Sequence, residues 1–254
     1  MTRLAKKLLV NGLAKVGIQI VRTRRRYAQD GLVTIHNDHF RHTVLFRAAY
    51  RRGLKASAGV DPRFEWRVHV ALWAAMAAMR VPGDFVECGV NTGFISSAIM
   101  HGLDWNTRGR NYYLIDTFTG PPLDQYTDTE IVRGRRRLAE KAISAGEYVV
   151  DVNRVRDNFG EWQNVVIVKG VVPEILPTIP IRQVAFLHID MNSAHPEEAA
   201  FEFFWERLLS GAIVLLDDYA YHGHEEQATA MDRVAKERGA EILSLPTGQG
   251  LVIR

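Results

Sequence analysis

Residues 84–97 read DFVECGVNTGFISS, and this stretch decides the fold. An apolar run ends at Glu87-Cys88-Gly89, a glycine-flanked turn follows through Asn91 to Gly93, and an apolar helical segment begins at Phe94. Glycines at a strand-to-helix turn let the backbone approach a ligand closely, and the first amides of the helix favour polar or anionic groups. The spacing Gly-x-x-x-Gly lacks the third glycine of the dinucleotide fingerprint, so it points to a nucleoside without a pyrophosphate rather than to NAD. A tight turn with no ligand is the alternative.

Further β-rich runs follow: NYYLIDTF (111–118), NVVIVKG (164–170), VAFLHID (184–190), GAIVLLDDY (211–219), AEILSL (240–245) and GLVIR (250–254). Helical stretches separate most of them, which predicts a mostly parallel sheet of seven strands covered on both faces. The last two runs are joined only by Pro246-Thr247-Gly248-Gln249, so the sheet should finish with an antiparallel strand. Before the first strand, FEWRVHVALWAAMAAMR (64–80) carries apolar groups every three or four positions, as a buried helix does, and Val81-Pro82-Gly83 stops it.

The 254 residues, 47% hydrophobic and 24% charged, suit one sizeable globular core with an appendage. A single cysteine, Cys88, excludes an intramolecular disulfide and a cysteine-based metal site, and a cytoplasmic setting is expected. The net charge of +3 conceals a split, because residues 1–67 hold 15 Lys/Arg against 4 Asp/Glu and the remainder 17 against 25. The organisation expected is a basic N-terminal helical arm or cap over 1–63, a main domain over 64–254, and a lid insertion at about 117–160, longer than an ordinary βα connection. Within residues 1–26, Leu9, Leu13, Val16 and Ile20 recur at helical spacing among Lys6, Lys7, Lys15 and Arg22 to Arg26. Such a basic amphipathic helix either docks on an anionic surface, including a membrane, or packs on its own core or on a second copy in a homo-oligomer. No apolar run is long enough to span a membrane. The basic run Arg133 to Arg137 reads as a solvated helix face. No nucleic-acid partner is expected, since aromatic residues do not interleave the basic runs.

The second strand ends at Asp116, followed by Thr117, where a carboxylate beside the glycine turn can accept hydrogen bonds from ribose hydroxyls. Glu87, Gly89, Asn91, Gly93, Asp116 and Thr117 are therefore the candidate nucleoside-binding residues. Asp190 ends the fourth run, and Asp217 and Asp218 end the fifth. Ligands of open α/β sheets sit beyond the carboxyl ends of the strands, so these carboxylates should converge on the same mouth. Three mutually repelling carboxylates are relieved by a hard cation such as Mg²⁺, which makes Asp190, Asp217 and Asp218 a candidate metal set; helix caps or arginine partners are the alternative. His195, His222 and His224 follow these strand ends as candidate bases, whereas His188 reads as a satisfied buried histidine.

These segments together resemble the macrocin O-methyltransferase-like (TylF-type) enzymes. FVECGVNTGFISS (85–97), YLIDTFTGPP (113–122), VRDNF (155–159), KGVVPEILP (169–177) and LLDDY (215–219) occur in that family's order, and the resemblance covers most of residues 64–254. It implies a Rossmann-like methyltransferase fold, S-adenosylmethionine as methyl donor, and Mg²⁺ orienting a hydroxyl of a small-molecule acceptor such as a sugar or natural product. On this reading Asp190 serves as ligand and proton acceptor, with His195 or His224 as other catalytic candidates. The family's glycine, acidic residue and tyrosine after that aspartate are replaced by Met191-Asn192-Ser193-Ala194-His195-Pro196-Glu197, so the substrate side differs. Two other functions fit the same residues: an iron-dependent oxygenase using His222 or His224 with the aspartates, and a non-catalytic cofactor-binding module tethered by its basic arm.

Overall fold

The computed structural model describes residues 27–254 together with Gly12, Leu13 and Lys15, which are helical. Apart from those three residues, the basic amphipathic helix expected within residues 1–26 lies outside the described residues. The chain divides into two compact units, residues 1–38 and 39–254. In the first, β1 (Tyr27–Gln29) and β2 (Leu32–Thr34) form a short antiparallel hairpin across Asp30-Gly31.

The second unit contains α1 (Val44–Ala56), α2 (Glu65–Ala78), β3 (Asp84–Cys88), α3 (Phe94–Gly102), β4 (Tyr112–Asp116), α4 (Asp128–Val132), α5 (Arg135–Ser144), α6 (Val152–Phe159), β5 (Val165–Lys169), β6 (Val184–Ile189), α7 (Ala194–Trp205), β7 (Leu208–Leu216), α8 (Glu225–Glu237), β8 (Leu243–Ser244) and β9 (Gly250–Ile253). Its seven strands run in the order β5-β4-β3-β6-β7-β9-β8. The first five are parallel, and β9 is antiparallel to both β7 and β8. All seven strand expectations are met. The hairpin at the end inserts β9 beside β7 and leaves β8, only two residues long, at the edge.

Strands covered on both faces show their alternation as two cores rather than as apolar against polar. Phe85, Leu114, Phe186, Leu215 and Leu251 face one cluster with residues of α1, α2 and α3. Val86, Ile115, Leu187, Val214 and Val252 face the other with α7 and α8. Small residues let the helices come close: Ala71, Ala74, Ala75 and Ala78 of α2 are fully buried, and Gly53 of α1 rests on the ring of Phe94. Residues 39–63 thus include a helix that folds with the sheet.

Register places the chemistry. Cys88 pairs with both Ile115 and Ile189, and Ile189 pairs with Leu216. The next residue on each strand is then Gly89, Asp116, Asp190 or Asp217, so all four stand in one row at the carboxyl edge. The row is tight: Gly89 has φ +88°, and a Cβ there would lie 1.8 Å from the carbonyl oxygen of Asp190.

Behind that row, the carboxylate of Glu197 in the first turn of α7 accepts hydrogen bonds from the amides of Met191 and Asn192, each 3.0 Å, and from Gln227 of α8, 2.9 Å. Burial and the nearby Asp218 carboxylate nevertheless raise its pKa to about 8.

Two consequences are measurable by denaturant and thermal unfolding. Gly89→Ala should cost ~2–4 kcal/mol through strain and the backbone clash, whereas Gly134→Ala, at φ +79° with open space around it, should cost only ~1 kcal/mol. Because the folded carboxyl of Glu197 titrates near 8 and an unfolded one near 4.5, its contribution is full below about pH 4.5 and is lost as pH rises towards 8. Glu197→Gln, which keeps the acceptor oxygen but does not titrate, should gain at least ~3 °C in melting temperature on the wild type between pH 5 and pH 9; a gap that does not change with pH would contradict this.

Candidate active site

Beyond the strand ends lies a cleft, partly open to solvent, whose space including that open side is about 610 Å³. Gly89, Asn91, Asp116 and Thr117 line one wall and Asp190, Met191, Asn192 and Pro196 the other. Gly120, Pro121, Pro122, Gln125 and Tyr148, all from the insertion between β4 and β5, cover it. The segment 117–160, where a lid is expected, holds α4, α5, α6 and their connections, and some of its residues line the cleft.

Asp116 anchors the glycine turn. Its Oδ2 accepts the amides of Val90 and Asn91 at 2.6 and 2.9 Å, and its Oδ1 accepts the amide of Phe118 at 2.7 Å. The Thr117 hydroxyl has one proton, directed at the carbonyl of Gly120 at 2.7 Å, so its 3.3 Å approach to Oδ1 adds little. A carboxylate offers about four acceptor positions, which leaves Oδ1 room for a ligand hydroxyl.

Asn91 is committed to the lid. Its Oδ1 accepts the amide of Val149 at 2.9 Å and its Nδ2 donates to the carbonyl of Glu147 at 3.2 Å, which seats Tyr148 over the cleft. Glu87 and Gly93 do not line the cleft. Gly93 starts α3 with its Cα against the ring of Phe159. Glu87 lies beneath the cleft floor, paired across the strands with His188, whose Nδ1 is 3.1 Å from its Oε1. His188 is fully buried, as expected; burial disfavours its charge, but Asp217 and Glu87 on its two sides outweigh that and raise its pKa.

The three strand-end aspartates have different environments. Asp190 is on the cleft wall with one contact, from Asn192 Nδ2 to Oδ1 at 3.3 Å. Burial, together with Asp217 and Asp218, pushes its carboxyl well above the usual range. Asp217 is held by Arg67 of α2, whose Nη1 is 2.5 Å from Oδ2, and by Gln249, whose Nε2 donates to Oδ1 at 2.8 Å. Burial opposes its ionisation, yet the Arg67 guanidinium wins and keeps the carboxyl well below the usual range. Asp218 Oδ1 lies 3.1 Å from the same Nη1, and its Oδ2 lies 3.4 Å from His224 Nδ1.

Among the three candidate histidines, only His224 joins this cluster; it is buried, and burial lowers its pKa. His195 is exposed and opens onto an adjoining groove with Asp124, Thr127 and Glu174, and His222 is fully exposed. Among the described residues no group of three His, Cys, Asp or Glu side chains is arranged to hold a metal ion. Of the two histidines on which the oxygenase reading draws, His224 lies at the aspartates and His222 in solvent.

Arg67, Gln249, Tyr148 and Arg135 are the residues the sequence reading missed. Arg67 had a legible signal: an arginine inside an otherwise apolar helix must find a buried acid. Within the basic run, Arg133 pairs with Glu225 at 2.9 Å and Arg136 with Glu140 at 3.3 Å on the exposed surface, but Arg135 turns inward to within 3.4 Å of His224 Nδ1. Glu130 closes the other end of the lid by accepting the amide of Ala194 at 2.9 Å.

The chain is similar to known proteins. A Streptomyces olivaceus protein, 8-demethyl-8-(2,3-dimethoxy-alpha-L-rhamnosyl)-tetracenomycin-C 4'-O-methyltransferase, is 31% identical over 146 residues, 55% of this chain and 54% of that one. Demethyldecarbamoylnovobiocin O-methyltransferase of Streptomyces niveus is 29% identical over 148 residues, 55% of this chain and 53% of that one. The match thus spans about half the length of these curated relatives. Among solved structures, the O-methyltransferase NovP matches with a TM-score of 0.61 at 23% identity, covering 74% of this chain and 79% of its own. The calicheamicin methyltransferase CalS11 matches with a TM-score of 0.54 at 22% identity, covering 73% and 77%; both show the shared Rossmann-like methyltransferase fold. The family described as macrocin O-methyltransferase (TylF) matches residues 67–245, and the chain belongs to that family.

Proposed function

We propose that this protein transfers a methyl group from S-adenosylmethionine to a hydroxyl of a small molecule, with a sugar-bearing natural product as the favoured acceptor. The observation that carries the proposal is the position of Asp190: a carboxylate on the cleft wall, one strand from the glycine turn, and the least engaged of the three strand-end acids. The names of the relatives support the acceptor class, since one acts on a rhamnosyl tetracenomycin and another is described as a TDP-rhamnose 3'-O-methyltransferase.

S-adenosylmethionine, when bound, supplies a methyl group made electrophilic by its sulfonium. The residues present fit a nucleoside-bearing donor. Asp116 has one acceptor position left for a ribose hydroxyl, Gly89 keeps the floor bare of side chain, and Ile115, Val172 and Met191 supply apolar walls. In-line displacement requires the acceptor oxygen about 3 Å from the methyl carbon and loss of its proton as the bond forms. Asp190 stands to receive that proton. Its raised proton affinity makes it a stronger base, once ionised, than an exposed carboxylate. Tyr148 and Gln125 line the cleft from the insertion, and His224, set behind Asp218, is a second candidate base.

The divalent cation expected on Asp190, Asp217 and Asp218 does not fit the side chains as they stand. Both oxygens of Asp217 are engaged by Arg67 and Gln249, and Asp218 lies between Arg67 and His224. The proposed transfer needs no step through a metal. No helix among the described residues is long and apolar enough to cross a membrane. A surface role for residues 1–26 and self-association stay as proposals, tested by liposome flotation and sedimentation of the full chain.

The reading is tested by calorimetric titration with S-adenosylhomocysteine and by methyl transfer to a panel of glycosylated natural products. Saturable binding is expected, unchanged in Asp190→Asn, while turnover of any accepted substrate should fall ~10²–10⁴-fold in that variant. Absence of binding would overturn the methyltransferase reading, and full turnover by Asp190→Asn would remove Asp190 as the base.

A further inference from the structure

The cluster at the ends of β6 and β7 gathers three aspartates, two of them buried, and its cation is a side chain. We propose that the guanidinium of Arg67 occupies the position a divalent ion would take between Asp217 and Asp218, so that this protein's aspartate cluster binds no divalent cation while Arg67 is in place.

The geometry carries this in three ways. Nη1 of Arg67 bridges two adjacent carboxylates, 2.5 Å from Asp217 Oδ2 and 3.1 Å from Asp218 Oδ1, as a shared metal ion would. The remaining oxygens of the pair face protein groups too: Asp217 Oδ1 accepts from Gln249 at 2.8 Å, and Asp218 Oδ2 is 3.4 Å from His224 Nδ1. Finally, Arg67 is held from behind. Its side chain is 8% exposed and its guanidinium carbon sits 4.5 Å above the centre of the Tyr221 ring. Tyr221 is fixed in turn by the Pro246–Gly250 turn, where Gly248 packs against its ring and the Gly248 carbonyl accepts the amide of Ala220 at 2.7 Å.

An arginine does not lose its proton to make way. A dication entering the pair would have to expel a buried guanidinium or share the pocket with it against like-charge repulsion. Arg67 is on this account a positioning residue: it holds the two carboxylates together as a pair and leaves Asp190 apart from it on the cleft wall. The proposal concerns the cleft assigned above to methyl transfer, but its test does not depend on the acceptor or on turnover.

The test is Mn²⁺ binding to the full chain, followed by electron paramagnetic resonance and by thermal shift, with S-adenosylhomocysteine titrated in parallel. Wild type should show no saturable Mn²⁺ binding up to ~1 mM and an unchanged melting temperature in EDTA. Removing the guanidinium should open the site, so Arg67→Gln should bind Mn²⁺ and gain several degrees in melting temperature from it. That gain should vanish in Arg67→Gln/Asp218→Asn. Arg67→Lys, which keeps a cation, should stay metal-free, and with the wild type it keeps the test decisive if Arg67→Gln does not fold. Saturable Mn²⁺ binding by the wild type that is lost in Asp218→Asn would overturn the proposal, as would a folded Arg67→Gln that ignores Mn²⁺. Loss of S-adenosylhomocysteine binding in the wild type would instead overturn the methyltransferase reading and leave the metal result to be judged separately.

Discussion

A single buried ion cluster organises the mouth of this protein: Arg67 of α2 against Asp217 and Asp218 at the end of β7. Charges so far from water are tolerated only when paired and hydrogen-bonded, and leaving either side alone is strongly destabilising. The constraint spreads outward. Gln249 must come from the turn before β9 to satisfy Asp217, and Tyr221 must lie under the guanidinium. The loop after β7, the final hairpin and the second helix are thereby locked into one arrangement at the strand ends.

On that platform the fold separates two tasks. Parallel register puts Gly89, Asp116, Asp190 and Asp217 in one row, so a donor bound across β3 and β4 is within reach of groups on β6. The lid is fastened at both flanks of the cleft rather than draped over it. Asn91 holds Glu147 and Val149, Glu130 holds the start of α7, and Arg133 reaches Glu225. Such attachments place Tyr148 and Gln125 at the mouth of the cleft.

The architecture was largely legible in the sequence because β-rich runs and helical runs alternate with little ambiguity, and a hairpin of four connecting residues admits only an antiparallel end. The row of strand-end groups was legible for the same reason, since the last residue of a parallel strand has a fixed place. Partnership was much less legible. Asp217 and Asp190 look alike in sequence, yet one is committed to an arginine 150 residues away and the other is not. Asn91 and Asp116 read as ligand contacts, but each spends most of its hydrogen-bonding capacity on backbone amides and carbonyls of the protein itself. His195 and His222 sit close to the aspartates along the chain and face solvent, because helix phase and loop course decide direction, not sequence distance. Residues of the lid such as Tyr148 carried no signal, as irregular segments have no periodicity to read.

The most direct test is a crystal structure of the full chain grown with S-adenosylhomocysteine and Mn²⁺, with diffraction recorded at the manganese edge. The account predicts the nucleoside in the cleft between Asp116 and Gly89, its sulfur facing Asp190, Arg67 still bridging Asp217 and Asp218, and no anomalous peak among the aspartates. A manganese peak between those carboxylates, with the guanidinium turned away, would contradict it, as would a nucleoside bound anywhere else.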